Sequence, residues 1–253
     1  MGSMNGKIAL VTGASRGIGR AAALRIGAQG AMVAVHYVNS RDAADEVVAL
    51  IGKSGGSAFA VQADLADPKA PWRLFEAMDA ELQRRTGDVK FDILVNNAGT
   101  GRRAVIEDVS EEDFDRMMNV DLRAPFFLIK LASPRLRDGG RIINVSSMGT
   151  RAAYAEMAAY SPFKAGLEAL TVLLAQHLGP RGITVNAVLP GATATDMHPL
   201  AKDPEMAKTV AKAIALGRVG QPEDVADVIA FLASDAGRWV TAQRIEASGG
   251  QRL

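Results

Sequence analysis

Short, continuously apolar runs alternate with helix-like stretches along the whole chain. Residues 8–11, 32–35, 58–61, 91–95, 141–145, 183–188 and 243–247 read as seven strands. Residues 17–29, 41–53, 71–85 and 159–178 read as helices between them. Ser110-Glu-Glu-Asp is a capping-type start that opens a long helical stretch toward Leu136, which Pro125 breaks or bends. Pro222-Glu-Asp places proline and acids in the first turn of a further helix ending near Ala233. The strands lack the in/out alternation of a half-exposed sheet, so both faces of the sheet are expected to be covered. Regular β-α alternation then predicts an α/β fold, a doubly wound parallel sheet of about seven strands with helices on both faces. Ligands in such a sheet bind at the carboxyl ends of the strands. No repeat, low-complexity run or linker divides the chain, so one domain is expected over residues 4–253. Residues 1–3 look like an expression scar. Residues 191–217, loop then short helix, are expected to overhang the strand ends as a substrate lid.

Composition narrows the function. The 253 residues are 48% hydrophobic and 23% charged, enough for one large α/β core. Lysine and arginine number 29 against 28 acids, so no nucleic-acid or membrane surface is expected. The absence of cysteine removes disulfides, thiol catalysis and zinc–thiolate sites. His36, His177 and His198 are scattered, with no metal-ligand spacing, so no metal is expected. No apolar run is long enough to span a bilayer and no signal peptide is evident, so a cytoplasmic protein is the expectation.

Thr12-Gly13-Ala14-Ser15-Arg16-Gly17-Ile18-Gly19 lies at the first strand-to-helix junction. Glycines permit a tight turn and let backbone N–H groups approach a pyrophosphate at the positive end of a helix. The spacing is G-x3-G-x-G rather than G-x-G-x-x-G, but the position is that of a Rossmann dinucleotide fingerprint. An NAD-preferring site places an acid near the end of strand two. Here that strand ends in Val35-His36-Tyr37, followed by Ser40-Arg41, and Arg16 lies in the glycine loop. Arginine suits a 2′-phosphate, so the cofactor is expected to be NADP(H), with Arg41 a weaker candidate than Arg16.

Tyr160-Ser-Pro-Phe-Lys164 adds chemistry to binding. Positions four apart share a helix face, so the lysine charge lies beside the phenol and favours phenolate. Lowering a tyrosine pKa from roughly 10 by about three units needs about 4 kcal/mol. One lysine does not supply all of that, so a second positive charge, such as an oxidised nicotinamide ring, is expected nearby. Ser146 and Ser147 precede the tyrosine by fourteen and thirteen positions. Adjacent residues in extended chain point oppositely, so only one of them faces a substrate.

These residues resemble the short-chain dehydrogenases/reductases over nearly the whole chain. Thr12-Gly-x3-Gly-Ile-Gly19, Asp64-Leu65, Asn96-Asn-Ala-Gly99, Asn119-Val120, Ser147, Tyr160-x3-Lys164 and Pro190-Gly191 with Thr195 fall in family order. Arg181-Gly-Ile-Thr-Val185 and Ala247-Ser-Gly-Gly250 are similar to the bacterial 3-oxoacyl-[acyl-carrier-protein] reductases of fatty acid biosynthesis. The resemblance implies that Tyr160 is the proton donor in reduction and that Lys164 lowers its pKa and binds the nicotinamide ribose. It gives Ser147 the substrate oxygen, the family spacing being close to thirteen, and gives Asn119 a water chain to Lys164. It implies adenine contacts from Asp64 and Leu65, and a cleft lined by Asn97, Ala98 and Gly99. Pro190, Gly191, Thr193 and Thr195 would hold the carboxamide end. Gly13, Ser15, Arg16, Gly17, Ile18, Gly19, His36, Ser40 and Arg41 complete the expected cofactor set. Pro162, inside the motif, is tolerable if Tyr160 lies in the first helical turn. A homotetramer is the family's common state.

The substrate side is less specified. Arg102-Arg103 are candidates for an anionic group, and Met148, Tyr154, Met157 and Met197-His198 for the pocket wall. Lys130, Arg135, Arg137 and Arg181 are candidates for contacting an acidic acyl-carrier protein. The leading expectation is NADPH-dependent reduction of a ketone, with 3-oxoacyl thioesters first. The alternatives are another alcohol–ketone pair (sugar, steroid or polyketide-like) and a non-catalytic NADP(H) sensor, which the complete Ser/Tyr/Lys set disfavours.

Overall fold

The computed structural model describes residues 4–195 and 203–252. Its strands are β1 Ile8–Val11, β2 Met32–Tyr37, β3 Ser57–Gln62, β4 Phe91–Asn96, β5 Leu136–Val145, β6 Thr184–Pro190 and β7 Arg244–Ala247. They form one parallel sheet in the order β3-β2-β1-β4-β5-β6-β7. Strand order reverses between β1 and β4, which opens a crevice at their carboxyl ends.

The helices are α1 Gly17–Ala28, α2 Arg41–Lys53, α3 Ala70–Thr86, α4 Glu111–Met118, α5 Ala124–Ala132, α6 Tyr160–Leu178, α7 Pro204–Ala211 and α8 Pro222–Ala233. Strand side chains alternate between two cores. Ala9 and Val11 of β1 meet α1, α2 and α8, whereas Ile8 and Leu10 meet α3, α5 and α6. Both sets are apolar, which is why the strands read as unbroken apolar runs.

Two elements depart from the sequence expectation. β5 begins at Leu136, not Arg141: Phe91 pairs with Leu136 and Ile93 with Arg141, so a bulge absorbs the residues between. Gly139 takes a positive φ of 75° within that segment. The stretch opened by Ser110 is also divided. Ser110 accepts the Asp113 N–H as expected of a cap, and α4 then passes through a π-helical turn, Asn119–Arg123, into α5. Within that turn the Ala124 N–H reaches back five residues to the Asn119 carbonyl. Pro125 has no N–H to offer the Asp121 carbonyl four residues earlier, so the helical ladder slips there.

His36 ties β2 to the glycine loop from below. It is fully buried. Its Nδ1 accepts the Gly13 N–H at 2.9 Å, and its Nε2 lies 2.9 Å from the Ala63 carbonyl. Those partners require the neutral ring protonated on Nε2. Burial holds its pKa down at about 4, against the Ala63 carbonyl and the Asp64 charge. The expected cofactor contact from His36 is therefore corrected: the ring props the loop and has no exposed surface to offer a ligand. Between about pH 6.5 and about 4 the unfolded chain takes a proton here that the folded chain refuses, so stability is lost as pH falls through that window. The total is up to about 3 kcal/mol. Urea unfolding at pH 7 and pH 4.5 is expected to show a larger loss for the natural chain than for His36→Gln; equal losses would contradict this account.

Candidate active site

Thr12 joins the two loops that border the crevice. Its hydroxyl donates to the Val95 carbonyl at 3.2 Å and accepts the N–H groups of Asn97 and Ala98 at 2.9 and 3.0 Å. The Asn97 amide donates to the carbonyls of Thr12 (2.9 Å) and Gly13 (3.2 Å). Gly13 and Gly17 have φ of 63° and 56°, a region that glycine enters at little cost. Gly19 is required by packing, since a Cβ there would lie 2.2 Å from the Gly13 carbonyl oxygen. The first turn of α1 carries no acid, so its positive end is free to face an anion. Ser15 and Ile18 are half-buried, and Arg16 is exposed at the N-cap.

The other expected cofactor residues surround this loop. Ser40 is the exposed N-cap of α2, and the exposed Arg41 pairs with Asp45 at 3.1 Å. Asp64 is exposed and accepts the Ala66 N–H at 3.0 Å. Leu65 turns its side chain into the core, which corrects the expected adenine contact to one its backbone alone can make. Past Pro190, the Ala192 N–H donates to Gln251 Oε1 at 2.7 Å and the Thr193 hydroxyl to the Gly191 carbonyl at 2.9 Å. A Cβ built on Gly17 would lie 3.4 Å from Thr195 Cγ2, so the loops after β1 and β6 meet.

Tyr160 is the first residue of α6, and Lys164 follows one turn later. Lys164 is 3% exposed. Its ammonium donates to the Val145 carbonyl at 3.0 Å and pairs with Asp121 Oδ1 at 3.0 Å. Among the described residues this is the one ion pair with both partners buried. Asp121 also accepts the Thr100 N–H, 3.3 Å from each oxygen. Lys164 Nζ lies 5.6 Å from the centre of the Tyr160 ring. A Cβ on Gly99 would lie 3.0 Å from Asp121 Oδ1, and one on Gly101 would lie 3.4 Å from Tyr160 Cδ2. The 97–101 loop therefore passes close to all three groups. The π-turn brings the side chain of Asp121, two residues after Asn119, to Lys164.

The electrostatics follow from burial. Burial pushes the Tyr160 hydroxyl above the ordinary tyrosine value; the Lys164 charge pulls it down, Asp121 pushes it up, and a hydrogen bond with Ser147 pulls it down. Burial opposes the Lys164 charge, but Asp121 and Tyr160 outweigh it and hold the ammonium above the usual lysine range. Lysine alone therefore does not offset the desolvation of the phenol, and a further positive charge is needed to make phenolate readily accessible.

The two serines separate. Ser146 is buried, and its hydroxyl donates to Glu168 Oε1 at 2.7 Å. Ser147 has extended backbone, accepts the Gly149 N–H at 3.0 Å, and its hydroxyl acts to lower the Tyr160 pKa. Glu168 also accepts the Thr150 hydroxyl at 2.7 Å, so one buried carboxylate pins both ends of the turn that carries Ser147. Tyr160, Lys164 and Glu168 are spaced by four and share one face of α6. That spacing was the available signal for Glu168, and the proline four residues after Asp121 was the signal for Asp121. Pro162 is the third residue of α6, where its missing N–H deprives the helix of nothing.

The substrate-side candidates divide. Arg102 pairs with Asp113 at 2.7 Å and Arg103 with Glu156 at 3.0 Å, both arginines being half or more exposed. Arg135 pairs with Asp79, Arg137 with Asp88 and Asp92, and Arg181 with Asp138, while Lys130 lies over the Phe127 ring. The Tyr154 hydroxyl meets Met148 Sδ at 3.4 Å and accepts from Gln251 Nε2 at 3.2 Å. Met157 Sδ would lie 2.9 Å from a Cβ on Gly149, beside the Ser147 turn. Met197, His198 and residues 196–202 of the expected lid lie outside the described residues. Among the described residues no cluster of His, Asp or Glu could hold a metal ion, and no helix is long and apolar enough to cross a membrane.

Known proteins share this sequence pattern and fold. The family model described as enoyl-(acyl carrier protein) reductase matches residues 13–252. The chain is 48% identical to angucycline C-6 ketoreductase LanV, solved with bound NADP, with a TM-score of 0.96 over 100% of this chain and 98% of that one. It is 40% identical to versicolorin reductase 1 of Aspergillus parasiticus, over 98% of this chain and 97% of the relative. It is also 40% identical to the 3-oxoacyl-[acyl-carrier-protein] reductase FabG of Staphylococcus aureus, over 98% of both chains. With its parallel sheet, glycine loop and Ser/Tyr/Lys constellation, the chain belongs to the short-chain dehydrogenase/reductase family.

Proposed function

We propose that this chain is an NADPH-dependent ketoreductase that converts a polyketide-like cyclic ketone to a secondary alcohol. The observation that carries the proposal is the junction of Ser147, Tyr160 and Lys164 at the strand ends, beside a glycine loop. The site fits an NADP-type dinucleotide. Gly13 and Gly17 form a turn that a side chain would obstruct, and α1 offers its positive end with no acid nearby. Exposed Arg16 at the N-cap of α1 and Arg41 at the start of α2, the latter paired with Asp45, are the cations on offer to a 2′-phosphate, and no acid ends β2 to favour a free ribose hydroxyl.

NADPH, when bound, supplies the hydride for the carbonyl carbon. Ser147 holds the carbonyl oxygen beside the phenol. Tyr160 gives its O–H proton to that oxygen as negative charge develops there, so the carbonyl gains one hydride and one proton. Lys164 stabilises the phenolate left on Tyr160, which regains its proton from solvent.

Substrate choice rests on charge and likeness. Of the basic residues considered for an acidic carrier protein, Arg135, Arg137 and Arg181 are each engaged by a carboxylate. The 48% identity to an angucycline ketoreductase favours a ketone on a fused ring. The second proposal is a 3-oxoacyl thioester, favoured by the Staphylococcus aureus relative. A homotetramer accompanies either proposal, supported by exposed Phe126 on α5 and Val172 and Leu173 on α6.

Tyr160→Phe is expected to lower ketone turnover roughly 10²–10⁴-fold while NADPH still binds by fluorescence titration; retained turnover would refute the assignment. The ratio of kcat/KM for NADPH over NADH is expected to exceed one and to fall about tenfold in Arg16→Ala, the loss of one charge-assisted contact. A ratio below one in the natural chain would overturn the cofactor assignment. A panel of fused-ring ketones and 3-oxoacyl thioesters, read by NADPH oxidation, is expected to show the higher kcat/KM for the rings; the reverse order would favour the second proposal.

A further inference from the structure

Three side chains beside the Ser147 turn take no part in the proton transfer above: Tyr154, Gln251 and Arg252. The Gln251 carboxamide bridges two loops. Its oxygen accepts the Ala192 N–H at 2.7 Å, just past the end of β6, and its nitrogen donates to the Tyr154 hydroxyl at 3.2 Å. That hydroxyl donates in turn to Met148 Sδ at 3.4 Å, and Met148 follows Ser147. The Arg252 guanidinium lies over the Tyr154 ring, 4.3 Å from its centre. The last described residues of the chain therefore join the loop after β6 to the turn that carries Ser147.

We propose that Tyr154 and Arg252 form a subsite for a phenolic oxygen on the substrate, away from the reacting carbonyl. The inference rests on the site reducing ring ketones, and it deepens that reading by naming what the rest of the ring system carries.

Three observations support it. First, both groups have hydrogen-bonding capacity to spare. A thioether sulfur is a weak acceptor, so the Tyr154 O–H is open to any better oxygen. Among the described residues no carboxylate pairs with Arg252, and a guanidinium stacked on a ring keeps its N–H donors at its edge. Second, the tail is held in place. Arg252 has φ of 55°, a left-handed conformation uncommon outside glycine, and an unrestrained chain end would relax from it. Its N–H donates to the Ala213 carbonyl at 2.9 Å, and the Gln251 N–H donates to the Ser248 hydroxyl at 3.0 Å. Third, the donors stand beside apolar surface. Met148 is buried against the Tyr154 hydroxyl. A flat ring with one acidic oxygen suits that mixture, with its carbon face on the thioether and its oxygen on the donors.

The consequence is selectivity. A ring ketone without the phenol leaves two donors without their acceptor, and so does a saturated acyl chain. A site built to hydrogen-bond a substrate oxygen discriminates against analogues that lack it.

The test compares 1-tetralone with a ring-hydroxylated 1-tetralone, read by NADPH oxidation, in the natural enzyme, Arg252→Met and Tyr154→Phe. Each variant is expected to lose about tenfold in kcat/KM on the hydroxylated ketone, carried by KM, and less than about threefold on the plain one. Arg252 is exposed at the chain's end, so its replacement leaves the core untouched. A second readout does not need turnover: the Kd of a naphthalenediol for the NADP⁺-loaded enzyme, measured by calorimetry, is expected to rise about tenfold in either variant. Losses of equal size on both ketones, or a naphthalenediol Kd that neither variant moves, would overturn the inference. Reduction of a 3-oxoacyl thioester but of neither tetralone by the natural enzyme would instead refute the ring-ketone reading, and the naphthalenediol Kd would still decide whether Tyr154 and Arg252 hold a phenol.

Discussion

The buried contact between Lys164 and Asp121 is the constraint on which the site depends. Desolvating an ammonium and a carboxylate costs several kcal/mol per ion, which their attraction offsets only with good geometry and further hydrogen bonds. The structure supplies both. Val145 at the end of β5 accepts from the ammonium, and Thr100 after β4 donates to the carboxylate. A strand end, a loop, a π-turn and a helix are thereby fixed around one charge pair. Tyr160 takes its place from that arrangement, one turn before Lys164.

A second set of polar contacts carries the same order outward. Asn96 donates to Asn144 and Asn144 to Thr171, each at 2.9 Å, tying β4, β5 and α6 beneath the site. Thr12, Asn97 and His36 do the same for the glycine loop. Paired polar groups in a low-dielectric interior are rigid because each lost contact leaves an unsatisfied partner. The cofactor loop and the Ser147 turn therefore face each other across the β1/β4 switch point with little freedom to drift apart.

Much of this was legible in the sequence, for identifiable reasons. Seven continuous apolar runs marked a sheet covered on both faces. Ser110, Pro222 and the glycine loop marked helix starts, because caps and glycine turns are local effects. Tyr160 and Lys164 were legible because helical spacing alone puts them on one face. Asp121 was not, since its approach to Lys164 depends on a slipped hydrogen-bond ladder before Pro125. His36 was read as a ligand contact because it ends a strand; its burial arises from packing between β2 and the Gly13 turn. The start of β5 was not legible because Gly139-Gly140 interrupt the apolar run, and the pairing resumes at Leu136 only across a shift in register.

The central claim is that the Lys164 charge, held by Asp121, makes Tyr160 competent in ketone reduction. The most direct measurement is kcat for NADPH-driven ketone reduction by Lys164→Met, whose side chain fills similar space without charge. A fall of about a hundredfold or more, with Tyr160 still present, is the expected result. A rate within about threefold of the natural enzyme, an effect of less than 1 kcal/mol on the barrier, would contradict it.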